Sequence, residues 1–246
     1  MLQKRIAWNN YFKDLVFNEA LHKYSKENSD IKFTSVTQYI SSLKPDTFTD
    51  EFIRNYAEKN NKPFDYIKAL WDVKKVVGAT KGTELHYYIE SWYKWGIEHD
   101  VSPLNIKEVQ YFKNFLNDNK TLSCIQSEYR VYDEDLKFAG TIDAIMYDFK
   151  TKEYMIYDWK TNKTLASFNK ELLAYPFNNL RENPINDYTI QLCIYKYILE
   201  KHIPNIVISK LRLVHLNSGC NDNYKVVDLK TDVFEKVKEK VLELRK

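Results

Sequence analysis

Apolar, β-branched and aromatic residues alternate with polar ones through three consecutive runs: Ser127–Tyr132, Lys137–Tyr147 and Tyr154–Thr161. Charged, turn-like pieces separate them, Asp133-Glu134-Asp135 and Lys150-Thr151-Lys152. This pattern predicts a three-stranded meander between Glu128 and Lys160. Side chains two apart on a strand share a face. Asp158 and Lys160 therefore point the same way as Tyr154 and Ile156, and that face is expected to be partly buried. A lone carboxylate and a lone ammonium are costly to bury. A metal ion held by Asp143 and Asp158, with Lys160 beside it, resolves that cost.

Before the meander the pattern is mostly helical. A small hairpin is expected from Val16–Tyr24 and Lys32–Phe33, turning at Lys26–Asp30. Ser35-Val36-Thr37-Gln38 fits a capping box opening a helix to about Leu43, which Lys44-Pro45-Asp46 ends. A second helix is expected over Thr49–Asn60. A long third begins at Pro63 and runs to about Gly96, with a bend near Gly78 or Gly82. Ser102-Pro103 starts a fourth, to about Asn119. In the long helix Leu85, Ile89 and Trp92 form an apolar stripe, while His86 and Glu90 share another face. The aromatics Tyr87, Tyr88, Trp92, Tyr93 and Trp95 fit a core role better than base stacking.

Beyond the meander a loop region holds Tyr175-Pro176-Phe177 and Asn183-Pro184. A helix is expected from Asp187 to His202, then strands over Asn205–Leu216 and Tyr224–Leu229. A closing amphipathic helix, Thr231–Lys246, turns Val233, Phe234, Val237, Val241 and Leu242 inward. The chain reads as one domain, 1–246, with a mostly helical part over 1–120 and a β-sheet core with flanking helices over 121–246. The fold class is α/β, a mixed sheet flanked by helices with a helical N-terminal extension.

Composition narrows the chemistry. Five Gly and six Pro among 246 residues are too few for a linker-rich or disordered chain. A net charge of +3 permits a nucleic-acid partner without arguing for one. Cys124, Cys193 and Cys220 stand singly. That disfavours a zinc ribbon or iron–sulfur cluster and suits a reducing compartment. The first ten residues lack a signal-peptide apolar stretch, and no apolar run reaches 18 residues. A soluble, cytoplasmic protein without a membrane partner is expected.

Five signals recur in order: Gly82-x-x-x-His86, Glu128, Gly140-x-x-Asp143, Asp158-x-Lys160 and Gln191-x-x-x-Tyr195. Ser35-Val36-Thr37, Lys81-Gly82-Thr83 and Asp158-Trp159-Lys160-Thr161 accompany them. From Phe33 to Leu216 this set resembles the PD-(D/E)XK nuclease superfamily, in particular its RecB-like branch with the mitochondrial genome maintenance exonuclease and related phage nucleases. The superfamily's proline is replaced by Ile142, and the cysteines of the iron–sulfur branch are absent.

The resemblance implies a restriction-endonuclease-like core and a metal-dependent deoxyribonuclease, an exonuclease on DNA ends or single strands, with a phage origin compatible. It implies Mg²⁺ or Mn²⁺ on Asp143, Asp158, His86 and the Trp159 carbonyl. Lys160 would be catalytic, Glu128 would serve an outer shell or a second metal, and Gln191 and Tyr195 would support the site. Thr161, Asn162 and Lys163 would touch the nucleic-acid backbone. Hard oxygen donors suit these ions, and phosphodiester hydrolysis needs one. An endonuclease of the same fold and a catalytically idle nucleic-acid-binding module are the alternatives. Asp158→Ala is expected to end cleavage and leave folding intact.

Overall fold

The computed structural model describes residues 8, 11–45, 49–165 and 170–243. β1 (Leu15–Asn18) and β2 (Lys23–Lys26) form a hairpin, and β3 (Thr34–Ser35) leads into α1 (Val36–Ser42). The helices α2 (Asp50–Lys59), α3 (Phe64–Trp95) and α4 (Ile106–Asp118) follow. The meander is β4 (Leu122–Asp133), β5 (Phe138–Asp148) and β6 (Glu153–Lys160). Then come α5 (Pro184–His202), β7 (Ile208–His215), β8 (Lys225–Asp228) and α6 (Asp232–Glu243).

The main sheet is mixed, in the order β3-β5-β6-β7-β8, with β4 antiparallel to β5. β4 pairs with β5 along its whole length, so β3 and β6 must share the opposite edge of β5. β3 meets only Phe138 and Ala139, and β6 meets only Ala144–Asp148. Gly140–Asp143 lie between them, where the sheet forks. Beyond the fork β6 leaves β5 and continues along β7, as far as the pair Lys160–His215.

Helices cover both faces, a three-layer solution for burying a two-sided sheet. On one face Ile145, Ile156, Leu211 and Leu213 pack with Ile190, Ile194 and Ile198 of α5. On the other, Met146, Met155, Tyr157 and Trp159 pack with Leu85 and Ile89 of α3 and Phe112 and Phe115 of α4. Ile53, Ala57 and Ile67 form a separate small cluster between α2 and the start of α3. Among the described residues no helix is long and apolar enough to cross a membrane.

Several boundaries differ from expectation for local reasons. The hairpin turns at Glu19–His22, inside the run read as one strand. Asn18 Oδ1 accepts the Leu21 N–H there, and His22 takes a left-handed backbone (φ 51). Lys32 still bridges to Ser25. The capping box at Ser35 forms as expected. α3 runs unbroken through Gly78 and Gly82 and ends at a left-handed Gly96 (φ 66). α4 starts at Ile106 rather than Ser102, because the Ser102 amide and hydroxyl are tied to Glu84.

α5 begins three residues earlier than Asp187. Asn183 caps it by accepting the Asn186 N–H, and Pro184 occupies the first turn. In α6, Val237 is buried and Phe234 half-buried. The side chains of Val233, Val241 and Leu242, residues 244–246, and Asp46 of the expected helix stop lie outside the described residues. Tyr88 is buried, and Trp92 and Tyr93 pack on the second core cluster. Tyr87 and Trp95 do not join the core; they are 53% and 60% exposed.

At the β3 end of the meander, a buried ion cluster fastens α5 to the end of β4. Asp133 has no exposed side-chain surface and contacts Lys201 Nζ at 2.5 Å and His202 Nε2 at 2.8 Å. Burial acts to raise the Asp133 carboxyl, but hydrogen bonds from His202, Lys201 and the Leu136 amide hold it well below 3.8. A carboxyl lowered by folding stabilises above its unfolded value, and that contribution fades as pH falls through the lower, folded value. Thermal melts from pH 2 to 7 are expected to show stability falling below about pH 4. Asp133→Asn is expected to lower stability at pH 7 and to flatten that acid limb.

Candidate active site

The fork collects most of the candidate residues because β5 and β6 separate at Asp143 and Asp158. Asp143 Oδ2 accepts the Trp159 N–H at 2.8 Å, replacing the ladder bond lost where the strands part. From α3, His86 reaches across this junction. Its Nε2 lies 3.1 Å from the Trp159 carbonyl oxygen, and its Nδ1 lies 3.4 Å from Glu128 Oε1 and 3.7 Å from Asp143 Oδ2. The side chain of Trp159 turns to the sheet face opposite Asp158 and Lys160 and packs between Phe112 and Phe115. That packing anchors the strand end whose carbonyl faces His86.

Among the described residues, ligand atoms of His86, Glu128 and Asp143 gather within 4.8 Å of one another. One imidazole nitrogen and two carboxylate oxygens fit a divalent ion that accepts N and O donors. Asp158 stands beside this group, and its Oδ2 lies 2.6 Å from Lys160 Nζ. Asp158 is 2% exposed and Lys160 18%. Lys160 Nζ also sits 4.5 Å from the ring centroid of Tyr188 on α5. Tyr188 escaped sequence reasoning, although its spacing, one turn before Gln191, places it on the same helix face.

The site is short of positive charge. Burial pushes Asp143 up, opposed by His86, and pushes Asp158 up, opposed by Lys160. Burial acts to lower His86, yet the charge of Asp143 and a hydrogen bond and charge from Glu128 outweigh it and raise the imidazolium to about 9. Burial also acts to lower Lys160, and the charges of Asp158 and Asp143 hold it above its usual range. Two buried carboxyls driven toward neutrality mark a place where a cation would be stabilised.

Glu128 reaches this group through a distorted backbone. β4 carries an extra residue between Cys124 and Gln126, and Glu128 itself has φ 48. A non-glycine residue in the left-handed region costs on the order of 1–2 kcal/mol, and such strain persists where the surroundings over-determine it. Glycine adopts this conformation freely. Glu128→Gly is therefore expected to be more stable than Glu128→Ala by about 1 kcal/mol, read from urea melts. Both variants are expected to lose affinity for divalent ions.

α5 braces the fork from the other side. Tyr195 is 2% exposed, and the Gln191 side chain lies beside it, one helical turn earlier. Its ring lies against Gly140, where a methyl group would fall 2.6 Å from Tyr195 Cε1. Gly140 is thus the residue that lets α5 approach β5 three residues before Asp143. Thr161, Asn162 and Lys163 follow directly on Lys160. Asn217 Nδ2, His215 Nε2 and Cys220 Sγ donate to their three carbonyl oxygens and hold the segment beside the site. The side chains of Thr161 and Asn162 remain half-exposed and that of Lys163 exposed.

A family model described as the PD-(D/E)XK nuclease superfamily matches residues 56–245. That span contains the candidate site residues from His86 on α3 to Tyr195 on α5, while β3 lies outside it. No curated protein matches the sequence.

Proposed function

This chain belongs to the PD-(D/E)XK nuclease superfamily, and we propose that it is a Mg²⁺- or Mn²⁺-dependent deoxyribonuclease acting as an exonuclease on DNA ends or single strands. The proposal places it in the RecB-like branch, near the mitochondrial genome maintenance exonuclease and related phage nucleases, with residues 1–246 as one nuclease domain. Superfamily membership implies a metal-dependent nuclease. The observation that supports metal-dependent cleavage is the pairing, at one fork, of a His86–Glu128–Asp143 donor group with a buried Asp158–Lys160 pair; the exonuclease mode and the RecB-like branch rest on the resemblance of the motifs alone.

In this reading His86, Glu128, Asp143 and the Trp159 carbonyl would hold the metal, and Asp158, once free of Lys160, would be a further oxygen donor. When bound, a divalent ion polarises the phosphate and lowers the pKa of an attacking water. Asp143 carries two roles, since it also fixes the strand end through the Trp159 N–H. Lys160, freed from Asp158, directs its ammonium to the charge that develops on the phosphate oxygens. Tyr188 keeps that ammonium at the mouth of the site by packing its ring beneath it. Gln191 and Tyr195 hold α5 and β5 in register. Thr161, Asn162 and Lys163 bind the backbone of the strand.

The test is cleavage of end-labelled single- and double-stranded DNA in Mg²⁺, Mn²⁺ or EDTA, with Lys160→Ala beside the wild type. Metal-dependent loss of label that Lys160→Ala lacks supports the reading, and stepwise release from one labelled end supports an exonuclease. Internal cuts in circular DNA point to the endonuclease alternative. Strand binding without cleavage in any lane points to an idle binding module.

A further inference from the structure

Beside Glu128 a cleft of about 720 Å³ opens along β4. Its floor is Cys124–Arg130, its walls are the last turn of α3 and the β1–β2 hairpin, and Glu128 belongs to its lining. Glu128 is thus shared by the cleft and the donor group at the fork. Its volume lies in the range of small-ligand sites, about 300–1,000 Å³. That suits one or two nucleotides of a single strand and not a duplex.

Two features of the lining suit a nucleic-acid strand. Trp95 stands 60% exposed at the end of α3, although a tryptophan gains most from burial. Arg130 is exposed on β4, with its guanidinium 5.9 Å from the Phe17 ring centroid. Neither Arg130 nor Lys13 has a carboxylate within ion-pair distance among the described residues. By contrast Glu90 is paired with Lys94, and Glu128 is turned to His86. The uncommitted charge on these walls, with Glu19 as the remaining acid, is net positive. Exposed aromatic planes beside unpaired cations are what single strands bind, by base stacking and backbone attraction.

We infer that this cleft seats a single nucleic-acid strand leading to or from the fork, with Trp95 stacking on a base and Arg130 contacting the backbone. The inference rests on the nuclease reading for the direction of the strand, but binding can be measured apart from cleavage. The experiment is fluorescence anisotropy of a fluorescein-labelled, phosphorothioate-linked hexadeoxynucleotide in Mg²⁺, using the full chain. Trp95→Ala and Arg130→Ala are each expected to weaken binding by about tenfold. Lys74→Ala, on an exposed part of α3 outside the cleft, is expected to change it less than about twofold. Thermal melts of all three should match the wild type, because these side chains are exposed.

Wild-type affinity in Trp95→Ala and Arg130→Ala would overturn the inference. So would an equal loss in Lys74→Ala, which would reduce the effect to general charge, and so would no binding by the wild type. If the two cleft variants weaken binding but no metal supports cleavage by the wild type, the cleft stands and the nuclease reading falls.

Discussion

Asp143→Asn is expected to lower metal-supported DNA cleavage by on the order of 10³-fold while the protein stays folded. The two halves of that expectation come from the two things Asp143 does. As a carboxylate it supplies charge to the His86–Glu128–Asp143 group. As an acceptor it receives the Trp159 N–H, and that end of β6 has left its partner strand. Asparagine keeps an oxygen for the amide and removes the charge. Asp143→Ala removes both, and leaving a buried N–H unsatisfied costs about 1–3 kcal/mol. The comparison is made with cleavage rates, urea melts and the rise in melting temperature on adding Mn²⁺. Wild type should be stabilised by Mn²⁺, Asp143→Asn much less so, and only Asp143→Ala should lose metal-free stability. Full cleavage by Asp143→Asn would remove Asp143 from the site.

The parts of this site that could be read from the sequence are those that depend on local periodicity. Alternation and two charged turns define β4, β5 and β6, and spacing of two puts Asp158 and Lys160 on one face, where they meet at 2.6 Å. Gly140 and Tyr195 stand in the sequence as separate signals 55 residues apart; packing makes them one contact. The fork could not be read, because it arises when β3 and β6 share one edge of β5, a fact of long-range pairing. The left-handed backbone at Glu128 runs against the preference of its own residue type, so propensity points away from it. The start of α5 is different: Asn183-Pro184 carries the cap-and-proline signature of a helix start, and reading it as loop overlooked that signal. The exposure of Trp95 follows from its place as the last residue of α3, beside the left-handed Gly96 and off the face on which Trp92 and Tyr93 pack. Composition alone gives no hint of that.

The Asp158–Lys160 pair gives the other large effect, and it changes what the sequence suggested for Asp158→Ala. A carboxylate that only repelled Asp143 could be removed without harm to folding. In the structure Asp158 also neutralises Lys160, whose side chain is 18% exposed. Removing one member of a buried pair typically costs 3–5 kcal/mol, because the other charge is left without a partner. In EDTA, Asp158→Ala is therefore expected to lose roughly 3 kcal/mol of stability. Lys160→Ala is expected to lose a similar amount, since Asp143 and Asp158 then face each other with no ammonium between them. Removing both should cost less than the sum, with a coupling of about 2 kcal/mol in a double-mutant cycle. Each single variant should also lose cleavage by on the order of 10³-fold, and the double variant no more than either. Adding Mg²⁺ should restore stability to Lys160→Ala more than to wild type, because the ion takes over the balancing of the carboxylates. Additive losses within about 0.5 kcal/mol would show that the pair is not coupled in solution. Lys160 would then be an independent surface cation, and a mechanism in which Asp158 releases it would have no footing.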